Sequence, residues 1–201
     1  MSALAQVPSD FLTALGTLRQ ATCRSELRLE EIPAPSRLSP YAVALGAEVF
    51  AKNSFGLELK DSEEPEELAT GRFILLHDPD GSALWDGTFR VVTYIRAQLE
   101  ADIGTDAMLG SVAWTWLVEA LETHQAAYRA AGGTATRILS ESYGSLAGSP
   151  DAIDIELRAS WTPESSDVQA HLEAWSDMVC TFAGLPPLPE GVSALPNRRR
   201  N

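Results

Sequence analysis

Residues able to do chemistry are few and widely spaced in this chain. The histidines His77, His124 and His171 have no second nitrogen or sulfur ligand within roughly three to five residues, so the spacing that holds a zinc ion is missing. Asp78-Pro79-Asp80 opens like a calcium loop, but Ala83 stands where that loop turns on glycine and Phe89 stands where it closes on glutamate. Cys23 and Cys180 lie on the apolar sides of helical patterns. They read as buried small hydrophobes, with a disulfide between them the alternative; Cys180 as a nucleophile would need a histidine and an electropositive site, which an apolar helix-interior position does not supply. No Gly-x-Gly-x-x-Gly, Gly-Lys-Ser/Thr or Gly-x-Ser-x-Gly segment is present, so the nucleotide and hydrolase templates fail as well. No catalytic residue, metal ligand or cofactor is expected, and packed, satisfied histidines are the expectation at all three positions.

One segment stands apart. In Trp85-Asp86-Gly87-Thr88-Phe89-Arg90 an aromatic side chain adjoins a turn that Gly87 permits. Asp86 is placed to bond nearby amides, and Arg90 to fork onto a carboxylate. The first expectation is a hairpin corner pinned by Asp86 with Trp85 as its lid. The second is a partner-binding surface of Trp85, Asp86 and Arg90, since tryptophan and arginine are enriched among residues that dominate protein interfaces.

The elements that must position that corner follow from periodicity. Phe73–Leu76 and Phe89–Ile95 read as strands, joined by the turn residues Asp78-Pro79-Asp80-Gly81. From Phe89 the odd positions to Leu99 are apolar or Thr93, while Arg90, Arg96 and Glu100 take the other face. Upstream, a helix is expected from a cap at Ser9 or Asp10, with Phe11, Leu12, Leu15 and Leu18 on one stripe. A strand over 26–32 follows, stopped by Pro33 and Pro35. Tyr41–Val49 places Tyr41, Val43, Leu45, Ala47 and Val49 on one parity and reads as a strand, with a helix the alternative because of its alanines. Residues 52–70 carry Asp61, Glu63, Glu64, Glu66 and Glu67 around Pro65 and read as a mobile acidic loop.

Downstream, the longest helix is expected from a cap at Thr105 or Asp106 to Gly132-Gly133. Its residues Trp114 and Trp116 are too close in sequence to share a face, so one should be core and the other half-exposed. Strands over 134–143 and 152–161 come next. In the second, Ile153, Ile155, Leu157, Ala159 and Trp161 oppose Asp154, Glu156, Arg158 and Ser160, so one face of the sheet meets solvent or a partner. A last helix starts at Ser166 or Asp167, buries Val168, Leu172, Trp175, Val179 and Phe182, and ends at Gly184. The order α-β-β-β-β-α-β-β-α, without strict βα alternation, predicts an α+β two-layer sandwich: a mostly antiparallel sheet with helices on one face. Residues 1–184 form one domain and 185–201 an extended tail.

Composition bounds the function. A chain of 201 residues with 45% apolar and 21% charged residues is ordinary for a globular domain and needs no metal or disulfide staple. Its net charge of −13 repels phosphate backbones, so direct nucleic-acid binding is not expected, and Arg198-Arg199-Arg200 reads as a solvated end. No run approaches the roughly 20 apolar residues that span a bilayer, and the amino terminus lacks a signal pattern. A cytoplasmic protein without membrane contact is expected.

GRFILLHDPDG, WDGTFR, AWTWLVEALE, IDIELRASWTP and AGLPPLPEGVSALPNRR together resemble an actinobacterial family designated domain of unknown function number three thousand, over about Phe11 to Asn197. The resemblance implies an actinobacterial cytoplasmic protein and carries over no catalytic or ligand residue. Separately, the element order is similar to that of small acidic secretion chaperones, which dimerise and hold client segments. That is analogy of fold alone. A non-enzymatic binding, adaptor or chaperone-like protein with a protein partner, a homodimer included, is therefore the leading expectation. The alternative is a small-molecule binder or enzyme whose site gathers scattered residues such as His77, Asp86, Arg90 and His124.

Overall fold

A computed structural model describes residues 7–51, 66–99, 106–148 and 151–187. Among these residues three α-helices and a six-stranded antiparallel sheet make an α+β fold. They follow in the order α1 (Ser9–Gln20), β1 (Leu27–Ile32), β2 (Tyr41–Phe50), β3 (Glu67–Ser82), β4 (Gly87–Leu99), α2 (Leu109–Thr123), β5 (Tyr128–Ser140), β6 (Ala152–Pro163) and α3 (Gln169–Phe182). The sheet order is β1-β2-β3-β4-β6-β5, so the two strands after α2 add to the β4 edge in reverse sequence order. Tyr41–Phe50 is a strand despite its alanines, because pairing on both sides outweighs their weak helix preference.

Register divides the side chains into two faces. Phe73, Thr93, Ala159 and Gly133 lie opposite one another across β3, β4, β6 and β5, and Gly71, Ile95 and Leu157 form a neighbouring row. Helical side chains rest on these rows. Trp175 of α3 packs at a tilt against Phe73 with ring centroids 5.6 Å apart, and Phe11 of α1 stacks on His77 at 5.8 Å. The Oγ1 of Thr17 in α1 accepts the Val168 N–H at 3.1 Å, joining the first helix to the start of the last. Trp161, Trp175, Phe73, Leu75, Ile95, Leu117 and Leu172 form the fully buried centre.

Several expectations shift. The Asp78–Gly81 segment is not the reversal: β3 runs on to Ser82 across an irregularity in which Gly81 has φ 76°, and the chain turns at 83–86. The acidic loop is shorter at its far end, since Glu67–Thr70 already pair with β2; its residues 52–65, with Asp61, Glu63 and Glu64, lie outside the described residues. Leu12 is exposed on α1 instead of lying on its buried stripe. No side chain caps α1, but Asp106 and Asp167 accept the Met108 and Gln169 N–H groups before α2 and α3.

The largest difference is the end of the long helix. Gln125 takes φ 54° just past Thr123, a left-handed conformation that stops the helix, and Tyr128 opens a strand. Gly132-Gly133 is therefore strand, not terminator. Trp114 and Trp116 are both half-buried and both pack on the core, one over Gly133 and the other edge-on to Phe182.

The paired glycines make a sharp test. A Cβ on Gly133 would sit 2.7 Å from the Arg158 carbonyl oxygen and 2.9 Å from the Trp114 ring, whereas one on Gly132 meets nothing within 4 Å. Backbone of a central strand cannot yield as a side chain can, so Gly133→Ala should lower stability by about 1–3 kcal/mol. Gly132→Ala should be neutral or slightly stabilising. Denaturant midpoints of the two variants check this; equal midpoints would remove the close-approach account.

Candidate functional site

The Trp85 corner is built, but not as its residue types suggest. Asp86 has φ 54° in the turn, and its carbonyl and carboxylate oxygens accept from Arg129 Nε at 2.7 and 3.2 Å. Arg90 does not reach Asp86. Its guanidinium donates to the Ala130 carbonyl at 2.8 Å, Thr162 Oγ1 at 3.1 Å and Ser160 Oγ at 2.7 Å, stitching β4 to β6 and to the bulge of β5. The Thr162 hydroxyl donates in turn to the Trp85 carbonyl. Trp85 is half-buried, while Leu84 at the tip of the turn is 90% exposed. The three residues thus lie around one end of the sheet, with Asp86 and Arg90 held by different partners.

The histidines do not converge on that corner as a set. His77 is buried in β3 at the edge of its irregularity, donating Nδ1–H to the Thr88 carbonyl at 3.1 Å and stacking on Phe89. His124 caps α2 and bonds through Nε2 to Asp177 of α3 at 2.8 Å, with Glu173 3.8 Å from its other nitrogen. The Asp177 hydrogen bond raises its pKa, against the opposite pull of burial. His171 is buried and accepts the Trp161 Nε1–H at Nδ1 over 3.1 Å; burial pulls its pKa down to about 4. All three are packed, as expected, but only His124 and His171 are met by side-chain partners as that expectation required; the buried Nε2 of His77 has no partner among the described residues. Burial pushes the Cys23 and Cys180 thiols up to about 11 and about 12, and both are free. Neither carries appreciable thiolate near neutral pH. Among the described residues no group of three histidine, cysteine or carboxylate side chains could hold a metal ion.

The prominent concavity lies elsewhere, on the sheet face opposite Phe73 and Gly133. Two rows cross all six strands there. One is Ile32, Ala44, Ile74, Val92, Ser160 and Gly132; beside it run Glu30, Gly46, Arg72, Tyr94, Arg158 and Thr134. Small residues within rows of long ones hollow the surface into a trough of about 770 Å³ over β3, β4, β6 and β5. A second hollow of about 490 Å³ adjoins it over β1–β3, with Arg72 and Tyr94 common to both. Ile74 and Val92 form a half-buried apolar floor.

Tyr94 anchors the trough. Its hydroxyl donates to Glu156 Oε1 at 2.9 Å, Arg158 Nη2 donates to Glu156 Oε2 at 2.8 Å, and the Arg158 guanidinium lies 5.6 Å from the Tyr94 ring centroid. Burial and the Glu156 hydrogen bond raise the tyrosine pKa, so the ring stays a neutral phenol. Arg72 is exposed and pairs with no carboxylate among the described residues. A neutral aromatic ring, an apolar floor and two flanking guanidinium groups can hold an amphipathic group, but they supply no nucleophile and no general base.

Sequence reasoning placed Arg158 and Ser160 on the open face without singling them out, and it missed Arg72 and Tyr94. Their alternation with Phe73, Thr93 and Ile95 was the available signal. It could not show which strand would lie beside which.

Among the described residues no helix is long and apolar enough to cross a membrane. Comparison with curated proteins and with solved structures finds no match. A family model described as "Protein of unknown function (DUF3000)" matches residues 7–193, a span that takes in every strand and helix above, and the chain belongs to that family.

Proposed function

We propose that this protein is a non-enzymatic, cytoplasmic binding or adaptor protein that holds a protein partner on the open face of its sheet. The observation that carries the reading is the trough over β3, β4, β6 and β5, floored by Ile74 and Val92, walled by Tyr94 and arginines, and adjoined by the second hollow over β1–β3. Fully paired strands give such a face little freedom to lose on binding, which favours a preformed surface. The Trp85 corner, with Leu84 at its tip and Arg90 on the same face, extends that surface toward one end of the sheet. A second copy of the chain is one partner that fits this reading, and a monomeric mass by light scattering would exclude it.

A site for small-molecule chemistry has less support. His77, Asp86 and His124 line neither hollow of the face.

The test is affinity capture from an extract of cells that make the protein, using the full chain and two face variants, Val92→Arg and Ile74→Arg. Both positions are half-buried on the open face, so a long charged side chain can reach solvent there while blocking the floor. A protein retained by the parent chain and lost from both folded variants supports the reading. The same retained set on all three would overturn it.

A further inference from the structure

We infer that the partner segment held in the trough is acidic: an extended peptide placing an apolar side chain on Ile74 and Val92 and a carboxylate between Arg72 and Arg158. The inference rests on the binding reading above and adds the chemistry of the partner. Its ground is charge segregation. The chain carries a net charge of −13, yet among the described residues the only charged side chains lining the larger hollow are Arg72 and Arg158. A third arginine, Arg90, stands on the same face and donates only to neutral oxygens. These cations are spread unevenly in a molecule dominated by acids elsewhere, and a complementary potential selects partners more than it adds bulk affinity.

The neighbouring carboxylates are already engaged or lie at the far end. Glu156 is occupied by Tyr94 and Arg158, and Asp154 by Arg96 at 2.8 Å. Glu30 and Glu48 line the second hollow, beyond Arg72, with Arg28 3.8 Å from Glu48. The face is therefore polarised, with free cation capacity over β3–β6 and acid over β1–β2. Arg72 is the unneutralised group at the join. Its planar fork suits a carboxylate in two-point contact. Arg158 is held over Tyr94 by the shared Glu156 carboxylate, so little side-chain freedom is lost when it takes a second acceptor.

Row geometry sets the match. The apolar row and the arginine row are two residues apart along each strand, about 7 Å. An extended peptide repeats its side chains on one face at the same spacing, so alternate residues can reach the floor and the guanidinium groups in turn.

The probe is a pair of synthetic peptides, acetylated and amidated at their ends: one has serine at every second position and, at the positions between, glutamate in turn with isoleucine or phenylalanine, so that acid and apolar side chains share one face when extended, and the other has lysine in place of glutamate. They are titrated into the full-length ¹⁵N-labelled chain at low salt, followed by amide chemical shifts. The glutamate peptide is expected to shift amides over 72–74, 92–94 and 158–160, and to bind at least about tenfold more tightly than the lysine peptide. Arg72→Glu, at an exposed position, should abolish that preference; Arg19→Glu, an exposed arginine on α1, should leave it intact. Equal binding of the two peptides, shifts confined to other regions, binding of neither, or a preference unmoved by Arg72→Glu would each overturn the inference. If the capture experiment yields a partner sensitive to Val92→Arg while the glutamate peptide fails, the binding reading stands and only its acidic specificity falls.

Discussion

Replacing Trp175 with alanine should remove about 3–5 kcal/mol of folding stability, the cost typical of emptying a large aromatic site in a packed core. The ring is fully buried on α3, its six-membered part lies against Gly71 of the sheet, and it packs at a tilt on Phe73. A Cβ on Gly71 would lie 2.7 Å from it, so sheet and helix are already at their closest approach there and cannot collapse to fill a void. Trp175→Phe should behave quite differently. Among the described residues the indole Nε1–H meets no acceptor, so the native side chain carries a buried, unmet donor worth roughly 1–3 kcal/mol of lost stability. Removing that donor offsets part of the smaller ring's lost contacts, and the phenylalanine variant should retain well over half of what alanine loses. Urea unfolding followed by far-UV circular dichroism measures both, since five tryptophans make fluorescence a composite signal. An alanine variant within about 1 kcal/mol of the parent would mean that the helix does not depend on this ring to seat on the sheet.

The same contact shows which parts of the molecule the amino-acid pattern discloses. Trp175 was legible as core because Val168, Leu172, Val179 and Phe182 recur around it at helical spacing, and strand parity likewise marked Ile155, Leu157 and Trp161. Such patterns register burial, which periodicity encodes directly. They fail where the backbone does something unusual at an ordinary residue. Gln125 stops α2 in a left-handed conformation that glycine or asparagine would have advertised, so the apolar spacing through His124 to Tyr128 carried the expected helix too far. Gly132-Gly133 then looked like the missing stop. Its actual cause is tertiary: Trp114 and the Arg158 carbonyl leave no room for a side chain at position 133.

The trough was hidden for a related reason. Arg72, Tyr94 and Arg158 come from three strands, and only the crossing order β3-β4-β6 makes them neighbours. The Trp85 corner was conspicuous because its residues are adjacent in sequence. Adjacency did not predict their partners, as Arg129 and Ala130, some forty residues on, satisfy Asp86 and Arg90.

Acidification should weaken the fold through His171. In the folded chain burial holds its pKa near 4, against an ordinary value of 6.5, and the Trp161 N–H donated to Nδ1 requires an unprotonated acceptor. Between those two values the unfolded chain binds a proton that the folded chain refuses, so stability rises with pH there and falls as pH drops. The full difference is on the order of 3 kcal/mol, present above about pH 6.5 and lost progressively toward pH 4. His124 has the opposite sign. Its pKa is raised by Asp177, so its contribution is complete below the unfolded value and is lost as pH rises through the folded one. His171→Gln keeps an acceptor within reach of Trp161 while removing the titration. Urea midpoints at about pH 7 and pH 4.5 separate the effects, because the carboxylates common to both chains titrate alike and cancel in the comparison. The parent should lose clearly more stability than His171→Gln over that interval. His124→Gln should show no such protection from acid. Parallel losses in the parent and His171→Gln would mean that the buried imidazole is charged at little cost, and that the Trp161 hydrogen bond does not hold it neutral.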